Sequence, residues 1–416
     1  MVRRSHARCY DIWRETAREE SQSLTRREND RLSRSPLKIA VRWVRATVHQ
    51  VAQVTPTKAR RAPLPLCHTT STFPPLSSPA GTSHAFPSPT GGKEARRGKR
   101  ERERSMHLAK CGTERLRAAK VLLIGLDGFG AEIAKNIILA GVKSVTFLDH
   151  RNVTELDRCS QFFVPKEDVG KNKAEASLPR AQNLNPMVNV NADSDKVDDK
   201  PDEYFGQFDI VCAMHCTITQ LKRVNRVCRN QNVKFFAGDV WGALGYVFID
   251  LQEHKYVEDV SKSKKVMIPE GGEPVGKEKI ETITVSKKHT ETFVPFDFIL
   301  NVPKTSLVRE EEIYYMMLIL LNYREKYGED PLPNERGCEN LKNEASAIIK
   351  KYELGDKINN LVEGDLYGQL SPVCSVLGGV MAQEIIKAAS QKHAPLNNLF
   401  TFNPDTSCGV ILKLGY

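Results

Sequence analysis

The segment Val121–Asp149, VLLIGLDGFGAEIAKNIILAGVKSVTFLD, constrains this chain more than any other stretch. Val121 to Ile124 form an unbroken apolar run into Gly125. Gly128 and Gly130 follow, then Ile133, Ile137, Ile138 and Val142 at helical spacing, and a second apolar run closes at Asp149. That order predicts strand, glycine turn, helix, strand, which is a βαβ unit. In such a unit the turn glycines let backbone approach a phosphate at the helix N-terminus, and an acid ending the second strand can hold ribose hydroxyls. Asp149 stands 19 residues after Gly130, where that chemistry places it. The glycine pattern departs from the dinucleotide fingerprint, because the turn reads Gly125, Leu126, Asp127, Gly128, Phe129, Gly130. An aspartate beside the phosphate path repels an anion, so the fold is better marked than the nucleotide. For Asp149, a ribose contact and a solvated strand end both stay open.

The downstream pattern extends the unit. Strand signals at Val188–Val190, Asp209–Ala213 and Lys234–Ala237 alternate with helical segments at Gly170–Leu184 and Ile218–Gln231, the first expected to bend or end early at Pro179. Tyr246–Leu251 begins antiparallel structure. Three helices are expected at Ser306–Tyr327, Glu335–Leu354 and Pro372–Ser390, the last with Gly378 and Gly379 permitting close packing, and two strands at Leu399–Phe402 and Val410–Leu414. The fold class is α/β: a doubly wound, mostly parallel Rossmann-like sheet with C-terminal helices and short antiparallel strands. Between them, Glu253–Thr292 is rich in Lys, Glu, Gly and Ser and is expected to be a mobile, solvent-facing charged insert.

Charge first invites a nucleic-acid reading, with 61 Lys+Arg against 51 Asp+Glu and a net of +10. Residues 1–105 hold 22 of those cations and 9 of those anions, which leaves 39 against 42, a net of −3, for the rest. Any basic-patch argument therefore belongs to the N-terminal segment, and none is expected for the folded part. Residues 1–113 read as a disordered basic and Pro/Ser-rich extension, with RRGKRERER at Arg96–Arg104 either solvated or a nuclear-import or nucleic-acid patch. The ten cysteines include no Cys-x-x-Cys pair, and no His cluster has metal spacing, so no metal site is expected and a reducing compartment is. No apolar run approaches a membrane span and the N-terminus lacks a signal-peptide core, so a soluble intracellular protein is expected.

Five separated motifs carry a family resemblance: the βαβ segment, VGKNKAEAS at Val169–Ser177, NLNPMV at Asn183–Val188, FFAGDVWGALGYVF at Phe235–Phe248, and SPVCSVLGGVMAQEIIKA at Ser371–Ala388. Together they resemble the ThiF/MoeB-like adenylation fold of the ubiquitin-like-protein activating enzymes, over roughly residues 115–416, and the SUMO-activating branch best. The resemblance implies two homologous halves. One binds ATP and Mg²⁺, activates the modifier's C-terminal carboxylate as an acyl-adenylate, and carries the cysteine that takes the acyl group. The other keeps the fold and lacks much of the chemistry.

The motifs place this chain in the second class. Asp149 is kept, but the family's second acid is Arg151, and its Asn-Leu-x-Arg-Gln-Phe motif reads Asp157, Arg158, Cys159, Ser160, Gln161, Phe162. The arginine that would neutralise developing phosphate charge is thus Ser160, a severe loss where positioned positive charge does the stabilising. Cys216 stands where the active half has its Mg²⁺-binding aspartate, while Lys173 matches the nucleotide-contacting lysine. The thioester cysteine is absent from the interval Glu253–Asn301, and Cys374 and Cys408 fall in segments read as packed core. A degenerate nucleotide site is therefore expected at Gly125, Gly128, Gly130, Asp149 and Lys173, with no catalytic residue. The implied partner is the large SUMO-activating subunit, which binds ATP, Mg²⁺ and SUMO; the implied location is the nucleus, with the cytoplasm second. The family's N-terminal Tyr-Asp-Arg-Gln-Ile-Arg-x-Trp-Gly segment, one arginine of which reaches the partner's phosphates, is not matched by Met106–Thr113. Residues 1–113 are accordingly expected to be an alternative or wrongly joined N-terminus. Competing readings are a self-sufficient adenylating enzyme, which would need an intact phosphate loop, a nicotinamide-dependent oxidoreductase, which would need the unbroken fingerprint, and a scaffold.

Overall fold

Five parallel strands come first along the chain: β1 (Lys120–Ile124), β2 (Ser144–Leu148), β3 (Asn189–Asp193), β4 (Ile210–Met214) and β5 (Lys234–Trp241). The computed structural model describes residues 111–416 except 269–276, 308–311, 333–337, 355–357, 363, 365 and 404–407. Expectations for residues 1–110, for the turn joining the last two strands and for the Cys408 side chain lie outside the described residues. Helix α1 (Gly128–Ala140) links β1 to β2, α2 (Lys173–Gln182) precedes β3, and α3 (Ile218–Asn230) links β4 to β5. Three antiparallel strands, β6 (Leu244–Asp250), β9 (Leu399–Asn403) and β10 (Cys408–Leu412), extend the sheet to eight strands in the order β10-β9-β6-β5-β4-β1-β2-β3.

Strand periodicity explains why the sheet is wrapped on both faces. Leu122, Ile124, Val211, Ala213, Phe235 and Phe248 point into one core, while Val121, Leu123, Cys212, Phe236 and Val247 point into the other. Strands buried on both faces must be near-continuously apolar, as these are. The first core is covered by α3, α4 (Glu312–Tyr327) and α5 (Glu339–Tyr352); the second by α1, α2 and α6 (Ser371–Ser390). Helix α6 is long and apolar enough to cross a membrane by composition, but its Cys374, Leu377, Met381 and Ile385 are buried in the second core. It packs on α1, and only Gly378 of its glycine pair is needed for that: a Cβ there would sit 2.6 Å from Glu132 Cβ, whereas Gly379 faces open space.

Some elements depart from expectation for identifiable reasons. Helix α2 continues through Pro179 to Gln182; the proline removes one N–H from the ladder, and the helix ends three residues later. Helix α4 begins at Glu312; Lys304–Ser306 is a separate 3-10 turn. The Glu253–Thr292 insert is not a plain charged loop: β7 (Glu253–Ile268) and β8 (Lys277–Thr292) form an antiparallel ribbon in continuous register. The β-branched run Ile283-Thr284-Val285 in β8 is the strand signal that the charged composition around it obscures. At its base the ribbon is tied to the end of α6 by Val257 N–H to Gln391 O and His393 N–H to Val257 O, both 3.0 Å.

Candidate functional site

The strand order reverses between β1 and β4, so a crevice opens at the carboxyl ends of these strands, where ligands of open α/β sheets bind. Gly125 turns out of β1 in the left-handed region, at φ 85°, and a Cβ on it would meet Met214 O at 2.5 Å. A Cβ on Gly130 would meet Gly125 O at 2.3 Å, and one on Gly128 would meet Ser160 Oγ at 2.2 Å. The glycines thus serve close packing of the turn against the chain itself, including the serine that stands where the family has arginine.

Asp149 is 3% exposed, and its carboxylate is fully engaged. Leu126 N–H donates to Oδ2 at 2.7 Å and Arg151 N–H to Oδ1 at 2.9 Å, while Arg151 Nε and Nη2 reach the two oxygens at 3.0 and 2.7 Å. The same guanidinium contacts Asp127 through Nη2 at 2.9 Å and Nη1 at 3.3 Å. Arg151 therefore lies between the strand-end acid and the glycine-turn acid, across the place a bound nucleotide would need. Burial raises the affinity of Asp127 for its proton, but Arg151, with Lys173 and His215, overrides burial and holds its carboxyl well below the usual range. Asp149 is lowered by the same contest between burial and Arg151. Arg151 in turn is held charged by both acids against its own burial.

The other phosphate-facing groups are also taken. Phe129 N–H, at the α1 N-terminus, donates to Gln369 Oε1 at 2.9 Å. Lys173 Nζ lies 2.7 Å from Asp157 Oδ1, both side chains buried, and the second oxygen of Asp157 accepts from Thr154 N–H and Oγ–H at 2.7 Å each. Gln161 pins the loop to the turn, donating to Leu126 O at 2.7 Å and accepting from Phe163 N–H at 2.8 Å.

Beneath this layer sits a buried arginine. Arg324 of α4, 1% exposed, reaches Asp239 Oδ2 at 2.8 Å, Asp330 through Nε and Nη2 at 2.8 and 2.7 Å, and Cys216 O at 3.1 Å. Asp239 also accepts His215 N–H at 2.8 Å, and burial, only partly opposed by Arg324, raises its carboxyl to about 6. His215 has its Nδ1 3.4 Å from Asp127 and 3.5 Å from Asp330; burial, then Arg151 and Arg324, push it down to about 3, so the ring is neutral. The Cys216 thiol is pushed up to about 12 by burial and the nearby Asp239. Cys374 is buried and likewise raised, so neither is a ready nucleophile.

All five residues expected at a degenerate nucleotide site converge on this crevice. Their fit to ATP with Mg²⁺ is poor: Arg151, Lys173 and Arg324 are each paired with carboxylates of the chain, Phe129 N–H and Leu126 N–H have acceptors, and Cys216 is a protonated thiol. Sequence reasoning missed Arg324, Asp239, Asp330, His215 and Gln369. Two had a signal: Asp239 interrupts the apolar run FFAGDVW, and Arg324 falls four residues after Leu320 and seven after Met317, on the buried side of its helix.

Comparison with known proteins gives a consistent picture. The ThiF family model matches residues 102–409. SUMO-activating enzyme subunit 1 of Xenopus laevis is 41% identical over 315 residues, 73% of this chain and 91% of the relative. The Homo sapiens protein of that name is 41% identical over 317 residues, 73% and 90% of the two chains, and the Danio rerio protein 42% over 310 residues, 72% and 89%.

Proposed function

The chain belongs to the ThiF family, in the branch of SUMO-activating enzyme subunit 1, and on that premise we propose that it is the non-catalytic half of a heterodimeric SUMO-activating enzyme. The large partner subunit binds ATP and Mg²⁺, adenylates the C-terminal carboxylate of SUMO and receives the acyl group on its own cysteine. This chain completes and stabilises that subunit and meets SUMO through it. The observation that carries the proposal is Arg151 bridging Asp127 and Asp149, which puts a fixed internal cation where a catalytic half keeps room for the nucleotide. Positive charge neutralised by the protein's own carboxylates offers little to a phosphate, because a new anion must compete with partners already in place. Further support comes from Ser160, which supplies no charge, and from the short ribbon in place of a cysteine-bearing domain.

SUMO-dependent exchange between ATP and pyrophosphate tests the reading. The chain alone is expected to give none, and the mixture with the large subunit to give exchange. Exchange by the chain alone would make it an autonomous adenylating enzyme and overturn the proposal.

A further inference from the structure

The amino ends of the strands carry cations that the fold leaves unpaired. Lys120 opens β1 and Lys143 immediately precedes β2; Lys143 N–H donates to Ala119 O at 2.9 Å, so the two lysines begin neighbouring strands. Adjacent strands lie about 4.8 Å apart, which sets these positions side by side. Residues 111–118 are helical and lead directly into β1, bringing Arg115 and Arg117 to the same rim. All four side chains are exposed, and none has a hydrogen-bond or ion-pair partner among the described residues. Nearby acids do not offset them. Asp209, which accepts the main-chain N–H of Lys120 at 2.8 Å, has Lys234 in electrostatic reach; Glu253 is paired with Lys255 at 3.0 Å; and Glu114 alone stands against four cations.

The carboxyl ends of the strands gather Asp127, Asp149, Asp157, Asp239 and Asp330 instead. The net of −3 outside the first 105 residues therefore averages over a charge polarity along the strands, and that average conceals the basic rim.

The sequence just upstream continues the same charge. RRGKRERER at Arg96–Arg104 has five arginines and one lysine against two glutamates, and Arg104 precedes Cys111 by seven positions. Seven residues of extended chain span at most about 25 Å, so the run is tethered within reach of the rim. A nuclear-import signal is read as a short peptide and needs no continuation on a folded face, whereas a surface for a polyanion does. Arginine prevails in the combined set, and its planar donor fork matches phosphate oxygens in pairs.

We propose that this rim and the basic run preceding it bind the phosphate backbone of duplex nucleic acid, independently of base sequence. The fixed rim cations and the tethered arginines neutralise one continuous stretch of backbone, and release of its counterions drives the binding.

The test follows the full chain binding a fluorescent duplex of about 20 base pairs by anisotropy, between about 50 and 200 mM NaCl. Wild type is expected to bind saturably, with log K falling linearly against log salt. The variant that decides is Lys120→Gln combined with Lys143→Gln, whose melting temperature should match wild type because both side chains are exposed and unpaired. It is expected to bind at least about ten-fold more weakly at about 100 mM NaCl, with a salt slope smaller by about two. Should it melt lower than wild type, Arg115→Gln combined with Arg117→Gln takes its place with the same expected loss. Polyglutamate serves as the competing probe for an acidic protein partner. No saturable duplex binding at about 50 mM NaCl, equal binding and slope in wild type and variant, or capture of polyglutamate in preference to the duplex would overturn the proposal.

Discussion

The two ends of the central sheet treat their polar groups in opposite ways. At the carboxyl end, Asp127, Asp149, Arg151, Lys173, Asp157, Arg324, Asp239 and Asp330 form a closed set in which every cation has a carboxylate and the helix N-terminus has Gln369. At the amino end, a cavity of about 400 Å³ stays open beside Asp209, Lys234 and Lys255. The end that the fold class marks for ligands is thus filled from within, whereas the end it does not mark keeps an open cavity. A fold supplies a place; side-chain chemistry decides whether the place remains a site.

The largest effect should come from breaking the closed set at its most buried member. Arg324→Met leaves Asp239 and Asp330 without their cation, and removing one partner of a buried pair costs about 3–5 kcal/mol. Urea unfolding should show a loss of that size, or no folded protein at all; a change under 1 kcal/mol would mean the carboxyl end is not held by this network. Next in size, Gly128→Ala forces a Cβ onto Ser160, and overpacking of this kind costs about 1–3 kcal/mol. Ser160→Gly in the same chain should recover most of that loss, and a double-mutant cycle with no coupling would separate the serine from the glycine turn.

Acidification sharpens the contrast. His215, lowered to about 3, and His254, lowered to about 4, are neutral when folded, yet each binds a proton when unfolded below its ordinary value of 6.5. The unfolded state then holds more protons, so stability falls as pH drops from about 6.5 toward 4, by up to about 1.4 kcal/mol per pH unit for each ring. Asp239 acts with the opposite sign: raised from 3.8 to about 6, it binds its proton more readily folded, so its contribution is fully present below 3.8 and is lost as pH rises through 6. The amino end has only the histidine term of these, so His254→Gln should flatten the acid limb of a stability profile between pH 6.5 and 5 more than His215→Gln combined with Asp239→Asn does. The reverse order would show that the crevice network does not balance its own titration.

The sequence made the fold legible where a single period ran unbroken. Val121–Ile124 into the glycines marks β1 to within a residue, and Ile133, Ile137 and Ile138 at helical spacing mark α1, which ends at Ala140, short of the Val142 included in the same pattern. The ribbon was hidden because Lys, Glu and Gly dominate its composition, although ITV at Ile283–Val285 carries β-branched residues together. At the crevice, Gly125, Gly128, Gly130, Asp149 and Lys173 were readable because local motifs hold them. What fills the crevice was not: Gln369 meets Phe129 across 240 positions and Arg324 meets Asp239 across 85, and no local pattern encodes such pairings. Asp127 shows the limit most clearly. In the sequence its charge reads as a repulsion for phosphate, and only the structure reveals the arginine that it and Asp149 hold in common.

The most direct test of the account is equilibrium binding of Mg²⁺–ATP to this chain alone. The account predicts no saturable binding at millimolar nucleotide, because the crevice is occupied by Arg151 and its acids. Saturable binding that Lys173→Ala abolishes would contradict it, since Lys173 would then be serving a nucleotide rather than Asp157.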